Sequence, residues 1–255
     1  MALSDHLREL RGRLIRATLV LLIAVIVMFY FYEDLYKLVL DPYTQAREQI
    51  DSSVKTEPVI NGVTSGLMFQ LKLCSLAGVL VSAPYWLYQI WAFILPGLQS
   101  TERKWSRIFA AIAGPLFFAG AAVGYYVLPK AIAVLIGFTP DGVTQLTEFG
   151  AFFSFITRML LVFGIAFEIP LFLIMLNLAG IVTGKGLGRH RPWIIIGVFV
   201  FAAVATPSTD PYSMLMLAGP MLVLVVISEL IVRLLDRRRA KNHEEEWDDD
   251  VASPL

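Results

Sequence analysis

Cysteine is nearly missing from this chain. Cys74 is the only one, which excludes an intrachain disulfide and a cysteine-based metal site. Histidine is scarce as well: His6, His190 and His243 are scattered and lack the spacing of metal ligands. Charged residues make up only 16% of the chain, against about 25% in an ordinary soluble domain. There is no His-Glu-x-x-His, no Gly-x-Ser-x-Gly and no P-loop, so no catalytic residue, cofactor or metal is expected. Gly184-Lys185-Gly186-Leu187-Gly188 is a flexible loop that fits no nucleotide fingerprint. No internal repeat is visible, which counts against an inverted-repeat transporter. A cleavable signal peptide is not expected either, because the first apolar run leads into bulky aromatics and acids.

What is abundant is apolar sequence. The chain is 57% hydrophobic with a mean hydropathy of +0.68, and the excess falls in long runs. That pattern indicates an integral membrane protein. The expected fold is all-α, a polytopic bundle with six transmembrane helices at about 14–32, 67–95, 105–128, 151–182, 193–205 and 212–232. Residues 1–13 form a cytoplasmic N-terminal segment, 14–232 the membrane domain, and 233–255 a charged tail expected to be disordered. The fourth stretch would be ~45 Å long as a helix and the fifth only ~20 Å, and the last two helices are expected to be short. Pro84, Pro115, Pro170 and Pro220 interrupt four of the helices and would bend them into a concave wall.

Basic residues set the orientation. Arg8, Arg11, Arg13 and Arg16 precede the first span. Arg103, Lys104 and Arg107, then Lys185, Arg189 and Arg191, then Arg233, Arg237, Arg238, Arg239 and Lys241 fall on the same side. The opposite segments hold only Lys37, Arg47, Lys55 and Lys130, so both termini are expected to be cytoplasmic. Trp91, Trp105 and Trp193 mark the inner aromatic belt, and Tyr125 and Tyr126 belong to the outer one.

Three acids stand out against this layout. Glu9 and Glu102 are carboxylates on the positive face, where they can receive cations; Glu9 also has Arg13 four residues on as a helical partner. Glu168 lies near the middle of the fourth span, where an ionised carboxylate costs several kcal/mol unless solvated or paired. A neutral acid there would hydrogen-bond a polar group on another helix. Asp210, followed by Pro211, fits a cap for the last helix and sits in a polar outer turn.

At these residues the chain resembles the TatC family, the multispan subunit of the twin-arginine protein translocase. The resemblance covers roughly residues 4–232. It rests on His6-Leu7-Arg8-Glu9-Leu10-Arg11, on Pro84 with Gln89-Ile90-Trp91-Ala92-Phe93-Ile94-Leu95-Pro96-Gly97-Leu98, on Glu102-Arg103, on Phe167-Glu168-Ile169-Pro170, and on Thr206-Pro207 with Asp210, in that order. One departure is Met214 after Ser213, where many relatives carry glutamine.

The resemblance implies a receptor for signal peptides with paired arginines. With single-span TatA- and TatB-type partners, and with self-association, it would move folded proteins across the cell membrane on the proton-motive force. It implies Glu9, Glu102, Arg11 and Phe93 as the twin-arginine site, Glu168 as an intramembrane polar contact, and Pro42 and Asp210 as functional outer positions. Membrane lipid is the other expected partner, and no nucleic acid is expected. The competing reading is a proton-coupled transporter that uses Glu168 as a relay. An intramembrane enzyme is disfavoured by the missing catalytic motifs.

Overall fold

The computed structural model describes residues 3–48, 56–60, 62–94, 103–139, 145–178, 180–205 and 211–249. Ten helices and two short strands follow one another among them: α1 (Leu3–Tyr30), α2 (Tyr32–Glu48), β1 (Thr56–Val59), α3 (Ser65–Val81), α4 (Ala83–Ile94), α5 (Arg103–Gly137), β2 (Gln145–Glu148), α6 (Phe149–Phe167), α7 (Ile169–Leu178), α8 (Gly184–Arg189), α9 (Arg191–Ala205) and α10 (Pro211–Asp249). Helices dominate for a physical reason: in a lipid environment a helix is the way a single segment satisfies its own backbone polar groups.

Among the described residues four stretches are long and apolar enough to cross a bilayer: Leu7–Tyr30, Ala111–Gly137, Phe149–Leu178 and Met214–Arg238. The pair α3 and α4 qualifies jointly, with a bend of 54° between its halves. Helix α9 has 15 residues, shorter than the ~20 that span a bilayer core. Of the last two helices, both expected to be short, only α9 is: α10 has 39 residues and contains the full-length apolar stretch Met214–Arg238.

The prolines act unequally. Pro84 coincides with the 54° bend, where the Trp86 indole N–H donates to the Val79 carbonyl at 3.0 Å and the Ser82 hydroxyl to the Gly78 carbonyl at 2.7 Å. Pro170 follows a one-residue break at Glu168, so the expected long fourth helix is two helices, α6 and α7. Pro115 and Pro220 lie inside helices that continue without a break.

The stretch after the first span folds as α2, a strand and a turn. Val39, Pro42, Tyr43 and Ala46 form a buried stripe on α2, and the Tyr125 hydroxyl of α5 donates to the Leu38 carbonyl at 2.9 Å and to Asp41 at 3.3 Å. Strand β1 pairs in parallel with β2, Thr56 opposite Gln145 and Val59 opposite Glu148, which joins the two connections at this end. Helix α10 continues beyond residue 232 to Asp249. Its arginines, alanine, lysine and glutamates are good helix formers, and the helix has already been nucleated within the bundle.

The core has two parts. The larger joins α2, α3, α5, α6, α9 and α10, with Phe69, Phe149, Phe152 and Phe153 packed edge-on or tilted. The smaller joins Leu87 and Trp91 of α4, Phe109 and Phe117 of α5, and Leu171 and Met175 of α7. Helix α1 stands at the periphery, with Leu14, Leu19, Ile23 and Ile26 all exposed.

Candidate functional site

The end of the bundle that gathers the basic segments carries the first group of polar side chains. Glu9 and Arg13 are one turn apart on α1. Arg13 Nε and Nη2 both donate to Glu9 Oε1, at 2.9 and 2.7 Å. Arg13 Nη1 reaches Gln89 Oε1 of α4 at 3.4 Å. Gln89 is buried, so the cluster is anchored where α1 crosses α4. Glu9 Oε2 has no hydrogen-bond partner among the described residues, and the Glu9 side chain is 33% exposed. The pairing is the helical one open to Glu9 in the sequence.

The remaining site residues are distributed as follows. Phe93 is half-buried and sits one turn beyond Gln89 on α4. Arg11 is exposed and lies about 200° round the α1 axis from Glu9, so the structure does not bring it to the Glu9 carboxylate. Pro42 is buried on the packed stripe of α2. Glu102 and Asp210 lie outside the described residues.

Glu168 is at the break between α6 and α7 and is 9% exposed. Its Oε2 accepts the Trp91 indole N–H at 3.3 Å, while Oε1 is buried with no partner among the described residues. Trp91 is itself buried, at 4% exposure, with its ring against Phe109 and Phe172. Trp193, by contrast, is 73% exposed. The sequence showed that Glu168 needed a polar partner but not which helix would supply it.

A second carboxylate cluster escaped the sequence reading. Glu229 of α10 is 3% exposed, yet it holds two guanidiniums. Arg191 of α9 grips both of its oxygens, Nε to Oε2 at 2.7 Å and Nη2 to Oε1 at 2.8 Å. Arg233, one turn along α10, adds Nη2 to Oε1 at 2.6 Å. Next to it, Asp236 accepts the Gly184 backbone N–H at 2.6 Å and the Asn177 amide at 2.7 Å. Together these tie α7, α8 and α9 to α10. The spacing of Glu229 and Arg233 was a usable signal; the arrival of Arg191 was not. Among the described residues no three His, Cys, Asp or Glu side chains are grouped to hold a metal ion.

Residues 5–220 match the family model of the Sec-independent protein translocase protein (TatC). The chain belongs to the TatC family. It is 40% identical over 266 residues to the TatC protein of Frankia casuarinae, an alignment that covers 100% of this chain and 73% of that relative. It is 32% identical over 244 residues to the TatC protein of Escherichia coli K12, covering 95% and 92%. A crystal structure of the twin arginine translocase receptor TatC in DDM superposes with a TM-score of 0.77 at 31% identity, covering 89% of this chain and 99% of that one. A second crystal structure of that receptor gives 0.76 at 32% identity, covering 90% and 98%. The fold is therefore the predominantly helical TatC fold, and the chain is a multi-pass membrane component of a protein translocase.

Proposed function

We propose that this TatC-family chain is the receptor for twin-arginine signal peptides and the core subunit of a translocase for folded proteins. One observation carries the reading: on the basic end, Glu9 already binds a guanidinium and leaves its second oxygen open. The relatives solved as twin arginine translocase receptors support it. In this reading Glu102 supplies the second carboxylate, and Phe93 and Arg11 flank the peptide. The chain crosses the membrane six times with both termini in the cytoplasm. TatA- and TatB-type single-span subunits and further copies of the chain complete the machine, and the proton-motive force drives it with no chemistry catalysed by this subunit. Pro42 and Asp210 shape the opposite face, and Glu168 offers an intramembrane contact to the peptide or a partner helix.

The physical preference is for arginine. A guanidinium is a planar fork that matches a carboxylate in two places, which lysine cannot reproduce. Two such charge-assisted pairs, each about 1.5–3 kcal/mol, favour twin arginine over twin lysine by one to a few orders of magnitude. A proton relay through Glu168 is less well supported, because its partner among the described residues is the Trp91 indole, a donor that does not titrate.

The test is crosslinking of a twin-arginine signal peptide to Glu9→Gln combined with Glu102→Gln, with a twin-lysine peptide on the native protein beside it. The crosslink is expected to weaken in the variant and with twin lysine. An unchanged crosslink in a folded, membrane-inserted variant would overturn the arginine-site assignment.

A further inference from the structure

The two carboxylate clusters at the basic end share a construction. Glu229 and Arg233 are an i, i+4 pair on α10, with the arginine on Oε1. Glu9 and Arg13 are an i, i+4 pair on α1, again with the arginine on Oε1. At Glu229 the remaining edge is filled by Arg191 from another helix, which spans Oε2 and Oε1 together. At Glu9 that edge has no partner among the described residues. Glu229 is 4% exposed at its side chain and Glu9 33%. The molecule thus holds a filled and a half-filled version of one arrangement.

We infer that Arg13 is a positioning residue for an incoming peptide arginine, which joins it on Glu9 as Arg191 joins Arg233 on Glu229. The inference rests on the receptor reading of Glu9 and adds the geometry of the pair. The peptide guanidinium takes Oε2 and replaces one of the two Arg13 bonds on Oε1, and Arg13 stays in place through the other. Arg13 can do this because it is held from behind: its third nitrogen reaches Gln89 on α4, and its side chain is only 18% exposed. It fixes the Glu9 rotamer before the peptide arrives, which removes an ordering cost from binding. A shared carboxylate between two guanidiniums needs the planar fork on both sides, so a peptide lysine loses more here than on a lone carboxylate.

The opposite possibility is displacement, in which the peptide arginine expels Arg13. The two give opposite signs. The experiment measures binding of synthetic twin-arginine and twin-lysine signal peptides to the purified full chain in detergent, for native protein, Arg13→Gln, Arg13→Lys, Gln89→Met and Glu9→Gln. Sharing predicts that Arg13→Gln weakens twin-arginine binding about fivefold, the effect of one side chain no longer held in advance. It also predicts that the arginine-to-lysine preference narrows, that Arg13→Lys restores part of it, and that Gln89→Met shifts it in the same direction by less. Unchanged or tighter twin-arginine binding in Arg13→Gln overturns the inference. If Arg13→Gln does not fold, an unchanged preference in Gln89→Met overturns it instead. Loss of binding in Glu9→Gln with none in the Arg13 and Gln89 variants removes this inference and leaves the receptor reading standing. No loss in Glu9→Gln removes both.

Discussion

A single buried carboxylate can organise several helices when its partners arrive from different directions. Glu229 does this for α9 and α10, with Arg191 on one edge and Arg233 on the other. The two arginines are 56% and 46% exposed, so water screens part of their attraction, and the pair energies stay well below those of a dry ion pair. Glu229→Ala leaves two guanidiniums facing each other and is expected to cost about 1–3 kcal/mol. A lower midpoint for thermal unfolding of the detergent-solubilised protein checks this. An unchanged midpoint would show that the cluster contributes nothing to stability. At this scale local spacing was informative. The Glu9–Arg13 contact follows from four residues of helix, whereas the Trp91–Glu168 bond joins positions 77 residues apart and no local rule connects them.

Helix pairs in this bundle approach through glycine. A Cβ built on Gly120 of α5 would lie 2.5 Å from the Phe163 carbonyl oxygen and 2.8 Å from the Phe167 ring of α6. One on Gly78 of α3 would lie 2.9 Å from the Val25 Cα of α1. Small residues at crossings let backbones pack closely where lipid removes the ordinary hydrophobic drive. Gly120→Val is therefore expected to push α5 and α6 apart at a cost of about 1–3 kcal/mol or more. Gly197→Ala on α9, where nothing lies within 4 Å, is expected to be neutral or stabilising by up to about 1 kcal/mol. Thermal unfolding of both variants decides, and equal midpoints would contradict the crossing argument. Helix α2 is the element that sequence reading passed over. Its apolar positions, Val39, Pro42, Tyr43 and Ala46, already had helical spacing, but a proline and flanking charges obscured it.

Across the whole molecule the distribution of charge predicts an orientation. Cys74 is fully buried, which gives cysteine labelling a low background. Lys37→Cys on α2 and Lys185→Cys on α8 replace exposed residues at opposite ends of the bundle. A membrane-impermeant maleimide is expected to label the first in intact cells and the second only after permeabilisation, as the positive-inside rule requires. Labelling of both from the same side would reject the proposed six-crossing, both-termini-inside arrangement. Among the described residues α1 carries a long exposed apolar face, and α9 buries only Val198 and Ala202.

The sequence by itself determined the membrane class, the positions of the apolar helices and the layout of basic and acidic segments. These are properties of runs and local spacing, and each is set by residues close together in the chain. The tertiary structure decided the partners: Trp91 on Glu168, Gln89 behind Arg13, Arg191 on Glu229, and α2 folded onto α5. Those contacts depend on how helices distant in sequence cross. Crossings are set by glycine contacts, a 54° bend and ring packing, none of which a one-dimensional pattern records.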